Sequence, residues 1–173
     1  MRIIAGRWKG HGLKTVKGRH VRPTTDRVRE SWFSALGPTV VDARVVDLFA
    51  GSGALGLEAA SRGAAEVTLV ERARGPARVI QANIDRLDAG DVCTLVTDDV
   101  FRFLGRVDEP FDVALADPPY DSGEAKRLVE LYRREPFAKE LWLEHPVREE
   151  LDLPDEARTR RYGDTALTTL WSP

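Results

Sequence analysis

The sequence predicts an α/β fold, a doubly wound and mostly parallel sheet with an antiparallel C-terminal hairpin, on three observations. From residue 44 onward, strand-like and helix-like stretches alternate. Residues 47–56, DLFAGSGALG, turn from an apolar strand over glycines into a helix. Near the C-terminus two β-rich runs flank Gly163-Asp164, the pattern of a tight antiparallel turn.

Residues 1–21 mix short apolar pieces with glycine and basic residues, which reads as a small basic β-hairpin or extended arm distinct from the body at 22–173. Within it, Trp8 and His11 stand among Arg7, Lys9, Lys14, Lys17 and Arg19, stacking surfaces beside phosphate-seeking charges, as used on single-stranded or looped RNA. A tryptophan there can equally anchor the arm to the body. In residues 22–36, Pro23 biases Arg22 to an extended backbone, and Thr25 or Asp26 can cap a helix that puts Val28, Trp32, Phe33 and Leu36 on one face. Arg22, Thr24 and Arg27 flank its start, where they can reach a bound ligand or simply meet solvent.

Strands are expected at 44–49, 66–71, 92–97, 111–117 and 140–144, with helices at 54–62, 76–87, around 101–104, and at 124–134. The second of these helices carries Val79, Ile80, Asn83, Ile84 and Leu87 on one face. The closing hairpin joins 157–162 to 165–171. Glu58, Lys126 and Glu130 read as solvated helix faces.

Composition is that of a soluble globular protein: 173 residues, 42% hydrophobic and 31% charged. No run has the length of a signal peptide or membrane span, so a cytoplasmic location and a single substantial core are expected, with no membrane partner and a monomeric state. Cys93, the one cysteine, lies in an apolar run and reads as core rather than nucleophile. His11, His20 and His145 lack metal-ligand spacing, so no metal is expected. The net charge of −2 conceals a segregation. Residues 1–44 hold ten Lys/Arg and three acids, net +7, whereas the other 129 hold 16 and 25, net −9. A basic segment on an acidic body suggests a polyanionic partner met by one face.

In a doubly wound sheet, ligands gather at the carboxyl ends of the strands. Those ends carry Asp47, Glu71, the doublet Asp98-Asp99, and Asp117. Glu71 follows Gly51 by twenty residues, a spacing at which a carboxylate accepts from ribose hydroxyls, and this suits NAD or S-adenosylmethionine. The acidic Asp47 ahead of the glycines disfavours a pyrophosphate and favours an ammonium or sulfonium, so the G-x-G-x-x-G spelling of Gly51, Gly53 and Gly56 reads as incidental. Asp117-Pro118-Pro119-Tyr120 ends the fourth strand. Two prolines stiffen the turn; the Asp117 carboxylate and the Pro118 carbonyl can clamp a planar amino group while Tyr120 stacks on its base. Such a clamp aims a weak nucleophile's lone pair at a methyl donor with little need of a strong base.

DLFAGSGALG, VTLVE and DPPY in this order resemble the class I S-adenosylmethionine-dependent methyltransferases that act on exocyclic amino groups. RIIAGRWKGHGL followed by RPTTDRVRESWFSAL resembles the RsmD family of bacterial 16S rRNA (guanine-N2)-methyltransferases. The resemblance spans nearly the whole chain. It implies a Rossmann-like seven-stranded sheet with a reversed last strand, and a small ribosomal subunit or its precursor as substrate. By position it implies that Asp47, Phe49, Ala50, Gly51, Ser52 and Gly53 line the methionine side of the cofactor, with Glu71 on the ribose and Asp99 with Val100 at the adenine, Asp98 competing for that place. Asp117, Pro118, Pro119 and Tyr120 are implied to hold the guanine, with Arg22, Thr24 and Arg27 near cofactor or base. The family more often has Phe where Tyr120 stands. Alternatives are an amino-methyltransferase on adenine N6 or cytosine N4, an NAD-dependent oxidoreductase, which would need a hydride-handling residue, and a non-catalytic rRNA-binding assembly factor.

Overall fold

The computed structural model describes residues 1–16 and 26–173, the side chains of 26 and 27 excepted. Lys17, Arg19, His20, Arg22, Thr24 and Thr25 lie outside the described residues, as does the Arg27 side chain.

Helix α1 (Asp26–Leu36) runs into a 3-10 turn (Gly37–Val40) and then alternation begins: β1 (Arg44–Leu48), α2 (Ala54–Ser61), β2 (Glu66–Val70), α3 (Arg74–Leu87), β3 (Cys93–Val96), α4 (Val100–Leu104), β4 (Phe111–Ala116), α5 (Glu124–Arg134), β5 (Ala138–Pro146), β6 (Arg158–Tyr162) and β7 (Thr165–Trp171). The seven strands lie in the order β3-β2-β1-β4-β5-β7-β6. β7 pairs antiparallel with both β5 and β6, and the remaining pairs are parallel. β5 extends beyond the expected 140–144 at both ends, from Ala138 to Pro146.

Alternation along each strand splits the core in two. Val45, Val67, Leu69, Val113 and Leu115 face Trp32 and Phe33 of α1, Leu55 and Leu57 of α2, and Ile80 and Ile84 of α3. Val46, Leu48, Val70, Ala114, Ala116, Leu141 and Leu143 face Val100 and Leu104 of α4 and Leu128, Val129 and Tyr132 of α5. Cys93 is buried, and burial pushes its thiol pKa up to about 12, which makes it an inert core residue.

Residues 1–14 dock on the outside of α2 and α3. A bridge pairs Arg2 with Gly12, and Ile3, Trp8 and Leu13 are buried in the first core layer. Glu58 therefore corrects the solvated-face reading. It is fully buried, accepts the amides of Ile4 and Ala5 at 2.8 and 3.0 Å, and accepts Arg62 Nε at 2.8 Å. All eight residues of α2 are buried, so its one acid has no solvent side to occupy. Ser61 completes the seam: its hydroxyl accepts Trp8 N–H at 3.0 Å and donates to the Ala5 carbonyl at 2.6 Å. Gly6, at φ +83°, passes so close that a Cβ would fall 1.8 Å from the Ser61 carbonyl oxygen.

Candidate active site at the carboxyl edge of the sheet

The chain runs from β1 outward through β2 and β3, then returns to the other side of β1 with β4, which makes β1 and β4 the point where strand order reverses. Register pairs Leu48 with Ala116, so Phe49 and Asp117 leave the sheet side by side. The expected glycine loop and the Asp-Pro-Pro-Tyr turn are thereby brought together.

Each glycine of the loop has a mechanical reason. Gly51 and Gly53 take φ +58° and +80°, left-handed conformations that a Cβ disfavours. A Cβ on Gly56 would lie 2.9 Å from Leu69 Cδ2 and 3.1 Å from Asp47, so α2 packs onto the sheet only with glycine there. Their spacing is thus a packing requirement of the strand–turn–helix, whichever adenosine ligand is bound, and not an incidental spelling. Phe49 also takes a left-handed φ, +61°, a strained conformation for a bulky residue; its ring meets Phe101 of α4 edge-on at 6.3 Å.

Asp47 lies beneath this loop and is 1% exposed, so it supports the loop and does not face its surface. Its Oδ2 accepts the Gly56 N–H at 2.8 Å, capping the start of α2 from below. Burial raises its pKa from 3.8 to about 7 against the lowering effect of that bond, and the nearby charges of Asp117 and Glu71 raise it further. Glu71 latches the loop to β2: Oε2 accepts Gly51 N–H at 3.0 Å and Oε1 accepts Ala73 N–H at 2.7 Å. Three carboxylates within electrostatic reach of one another, Asp47, Glu71 and Asp117, beside a loop opened by Gly51 and Gly53, suit a cationic ligand and oppose a pyrophosphate. The residues present thus fit a sulfonium-bearing adenosyl group.

At the adjacent β3 edge, Asp99 caps α4, its Oδ1 accepting from Phe101 N and Arg102 N at 3.0 and 3.1 Å, with Val100 buried beside it. Asp98 turns toward Arg102 and Arg106 instead. At the β4 edge Pro118 is buried and Pro119 exposed, and the Ser122 hydroxyl donates to the Pro119 carbonyl at 2.6 Å. The Tyr120 hydroxyl lies 3.2 Å from Glu144 Oε1 of β5 and 2.9 Å from Thr165 Oγ1 of β7, which pins the ring. Burial pushes its pKa up to about 12, so the phenol stays protonated. Glu144 and Thr165 were invisible as site residues in sequence because nothing local tied them to Tyr120.

Of the basic segment, Arg7, Lys9, His11 and Lys14 are exposed. Arg7 lies 3.7 Å from Asp91 and over the Trp8 ring at 4.9 Å, while His11 Nδ1 meets the Trp8 carbonyl at 2.9 Å. Trp8 is 6% exposed, which corrects its reading as a stacking surface for a base: its ring belongs to the core and anchors the segment. His145 is buried between the Pro146 carbonyl and Thr168 Oγ1, and burial lowers its pKa, so it is a neutral structural residue. Among the described residues no cluster of His, Cys, Asp or Glu is arranged to hold a metal ion, and no helix is long and apolar enough to cross a membrane.

Strand order, the single reversed strand and the glycine-loop cradle define the class I methyltransferase fold. The chain belongs to the family described as conserved hypothetical protein 95, the RsmD family, whose model it matches over residues 1–171. It is 42% identical over 131 residues to ribosomal RNA small subunit methyltransferase D of Escherichia coli strain K12, a match covering 76% of this chain and 66% of that relative, just under two thirds of its length. A solved Thermus thermophilus structure, the hypothetical protein TTHA0928, is 32% identical and superposes with a TM-score of 0.87, covering 99% of each chain. The fold is shared with the T. thermophilus 16S rRNA N2 G1207 methyltransferase RsmC, solved with AdoMet and guanosine (TM-score 0.69, 22% identity, 91% of this chain and 45% of that one).

Proposed function

We propose that this chain transfers a methyl group from S-adenosylmethionine to the exocyclic N2 of a guanine in small-subunit ribosomal RNA, acting as a cytoplasmic monomer on the small subunit or its assembly precursor. The observation that carries this reading is the placement of the Asp117-Pro118-Pro119-Tyr120 turn beside the glycine loop at the reversal point of the sheet. Family membership and the name of the E. coli relative support the substrate class.

When bound, S-adenosylmethionine supplies an electrophilic methyl group on a positively charged sulfur. Phe49, Ala50, Gly51, Ser52 and Gly53 would hold its methionine side over the buried charge of Asp47, with Glu71 at the ribose, Asp99 and Val100 at the adenine, and Thr24 as a further cofactor contact. Tyr120, fixed by Glu144 and Thr165, offers a ring face for the guanine. The Asp117 carboxylate and Pro118 carbonyl would accept the two amino N–H groups, holding the nitrogen lone pair toward the methyl donor and stabilising the positive charge that grows on nitrogen, and the surplus amino proton would then leave to solvent by way of the Asp117 carboxylate. Arg7, Lys9, His11 and Lys14, with Arg19, Arg22 and Arg27, would meet the RNA backbone.

Replacing Asp117 tests the clamp. Asp117→Ala should lower methyl transfer by about 10²-fold or more, the scale of removing one such electrostatic partner, while S-adenosylhomocysteine still binds. Unchanged transfer would sink the clamp.

A further inference from the structure

One buried side chain touches both halves of this site. Asn83 of α3 is fully buried, and its amide nitrogen donates to two carbonyls at 3.0 Å each, Ser52 of the glycine loop and Lys14 of the N-terminal segment. Its Oδ1 accepts the Lys14 N–H at 2.8 Å. Both donors and the acceptor of this amide are therefore committed to holding two segments far apart in sequence against one another. Lys14 is split in function by this geometry: its main chain is tied inward to Asn83, and its side chain is exposed among the basic residues of the segment. Ser52 is bracketed from the other end of the same segment, its hydroxyl lying 3.7 Å from the Met1 sulfur.

We infer that Asn83 is a positioning residue that couples RNA on the N-terminal segment to cofactor on the glycine loop. The inference rests on the reading that these two elements bind RNA and S-adenosylmethionine. The physical basis is shared ordering. A polyanion gripping the exposed charges around Lys14 reduces the motion of its backbone. Through the three hydrogen bonds of one amide group that restraint passes to the Ser52 carbonyl, so a loop already stiffened by RNA has less freedom to lose when the cofactor binds. Coupling of this kind is reciprocal: cofactor on the loop tightens RNA on the segment by the same factor. A core role alone would make Asn83 matter for stability and leave the two ligands indifferent to each other.

Asn83→Asp separates these roles. The carboxylate still accepts the Lys14 N–H but turns a charge and lone pairs toward both carbonyls where two N–H groups stood. S-adenosylhomocysteine affinity is measured with and without small-subunit rRNA from cells lacking this protein. Wild type should bind the analogue about 5-fold tighter or more with RNA present, within the usual range of such couplings, and Asn83→Asp should bring that ratio to about one while each ligand alone still binds. An unchanged ratio in the variant overturns the inference. A second measurement needs no variant: hydrogen exchange at the amides of Gly51, Ser52 and Gly53 in wild type should slow when RNA alone is added, and unaltered exchange with RNA bound overturns the coupling while leaving methyl transfer standing. Absence of both RNA binding and methyl transfer in wild type would instead remove the functional reading beneath it.

Discussion

At the scale of single residues, Asp47 and Tyr120 place opposite demands on the site. Asp47 is a buried acid held near neutrality by burial and by the like charges of Asp117 and Glu71. Its pKa is raised from 3.8 in the unfolded chain to about 7 in the fold, so the folded state holds the proton more tightly across that interval. Its stabilising effect is fully present below about pH 4 and is lost as pH rises through about 7. A positively charged ligand prefers the ionised form, so S-adenosylmethionine affinity should rise over the upper part of that window. Asp47→Asn keeps an acceptor for Gly56 N–H and removes the buried charge; it should raise the melting temperature of the ligand-free protein at pH 8 and weaken binding there, flattening its pH profile. Scanning calorimetry at pH 8 measures the first and calorimetric titrations from pH 5.5 to 8.5 the second, and an equally steep binding profile in the variant would show that another group titrates. Tyr120→Phe retains the ring and removes its two hydroxyl contacts, one to Glu144 and one to Thr165. A stability loss of about 1–3 kcal/mol is expected from denaturant unfolding, with methyl transfer reduced only several-fold because the stacking face remains.

At the scale of elements, residues 1–14 dock on α2 and α3. Their docking depends on Glu58, Ser61 and the absence of a Cβ at Gly6. Gly6→Ala should expel the segment, exposing Arg7 and Lys9 to trypsin far faster than in wild type, whereas an unchanged cleavage rate would mean that the seam can shift to admit a methyl group. The strand–glycine–helix turn, the sheet alternation and the closing hairpin were legible in the sequence because each has a local period or turn signature. The seam was not, because its contacts join residues more than fifty apart. Two signals for it were nonetheless present: a lone acid in a helix otherwise made of Ala, Gly, Leu and Ser, and a lone amide, Asn83, on the apolar face of α3. A polar residue surrounded by core positions has a partner to find.

At the scale of the whole molecule, a basic segment lies against an acidic body whose carboxylates crowd the carboxyl edge of the sheet. Under the proposed function, this segregation would let one surface attract RNA while the crevice itself favours a cation. Replacing Arg7, Lys9 and Lys14 together should weaken RNA binding and flatten the dependence of log affinity on log salt by about 0.7 to 0.9 per lost phosphate contact; an unaltered slope would mean that these side chains do not touch RNA. Strand ends were readable as the candidate site because polar residues cluster there, but the pinning of Tyr120 by β5 and β7 was not, since strand order β5-β7-β6 is set by tertiary pairing. The central claim is tested most directly by incubating the protein and labelled S-adenosylmethionine with small-subunit rRNA from a strain lacking this protein, then mapping the label by nuclease digestion and mass spectrometry. Label on N2 of a single guanine is the predicted result; no incorporation, or a methyl on a ring nitrogen, a ribose or the amino group of another base, would contradict it.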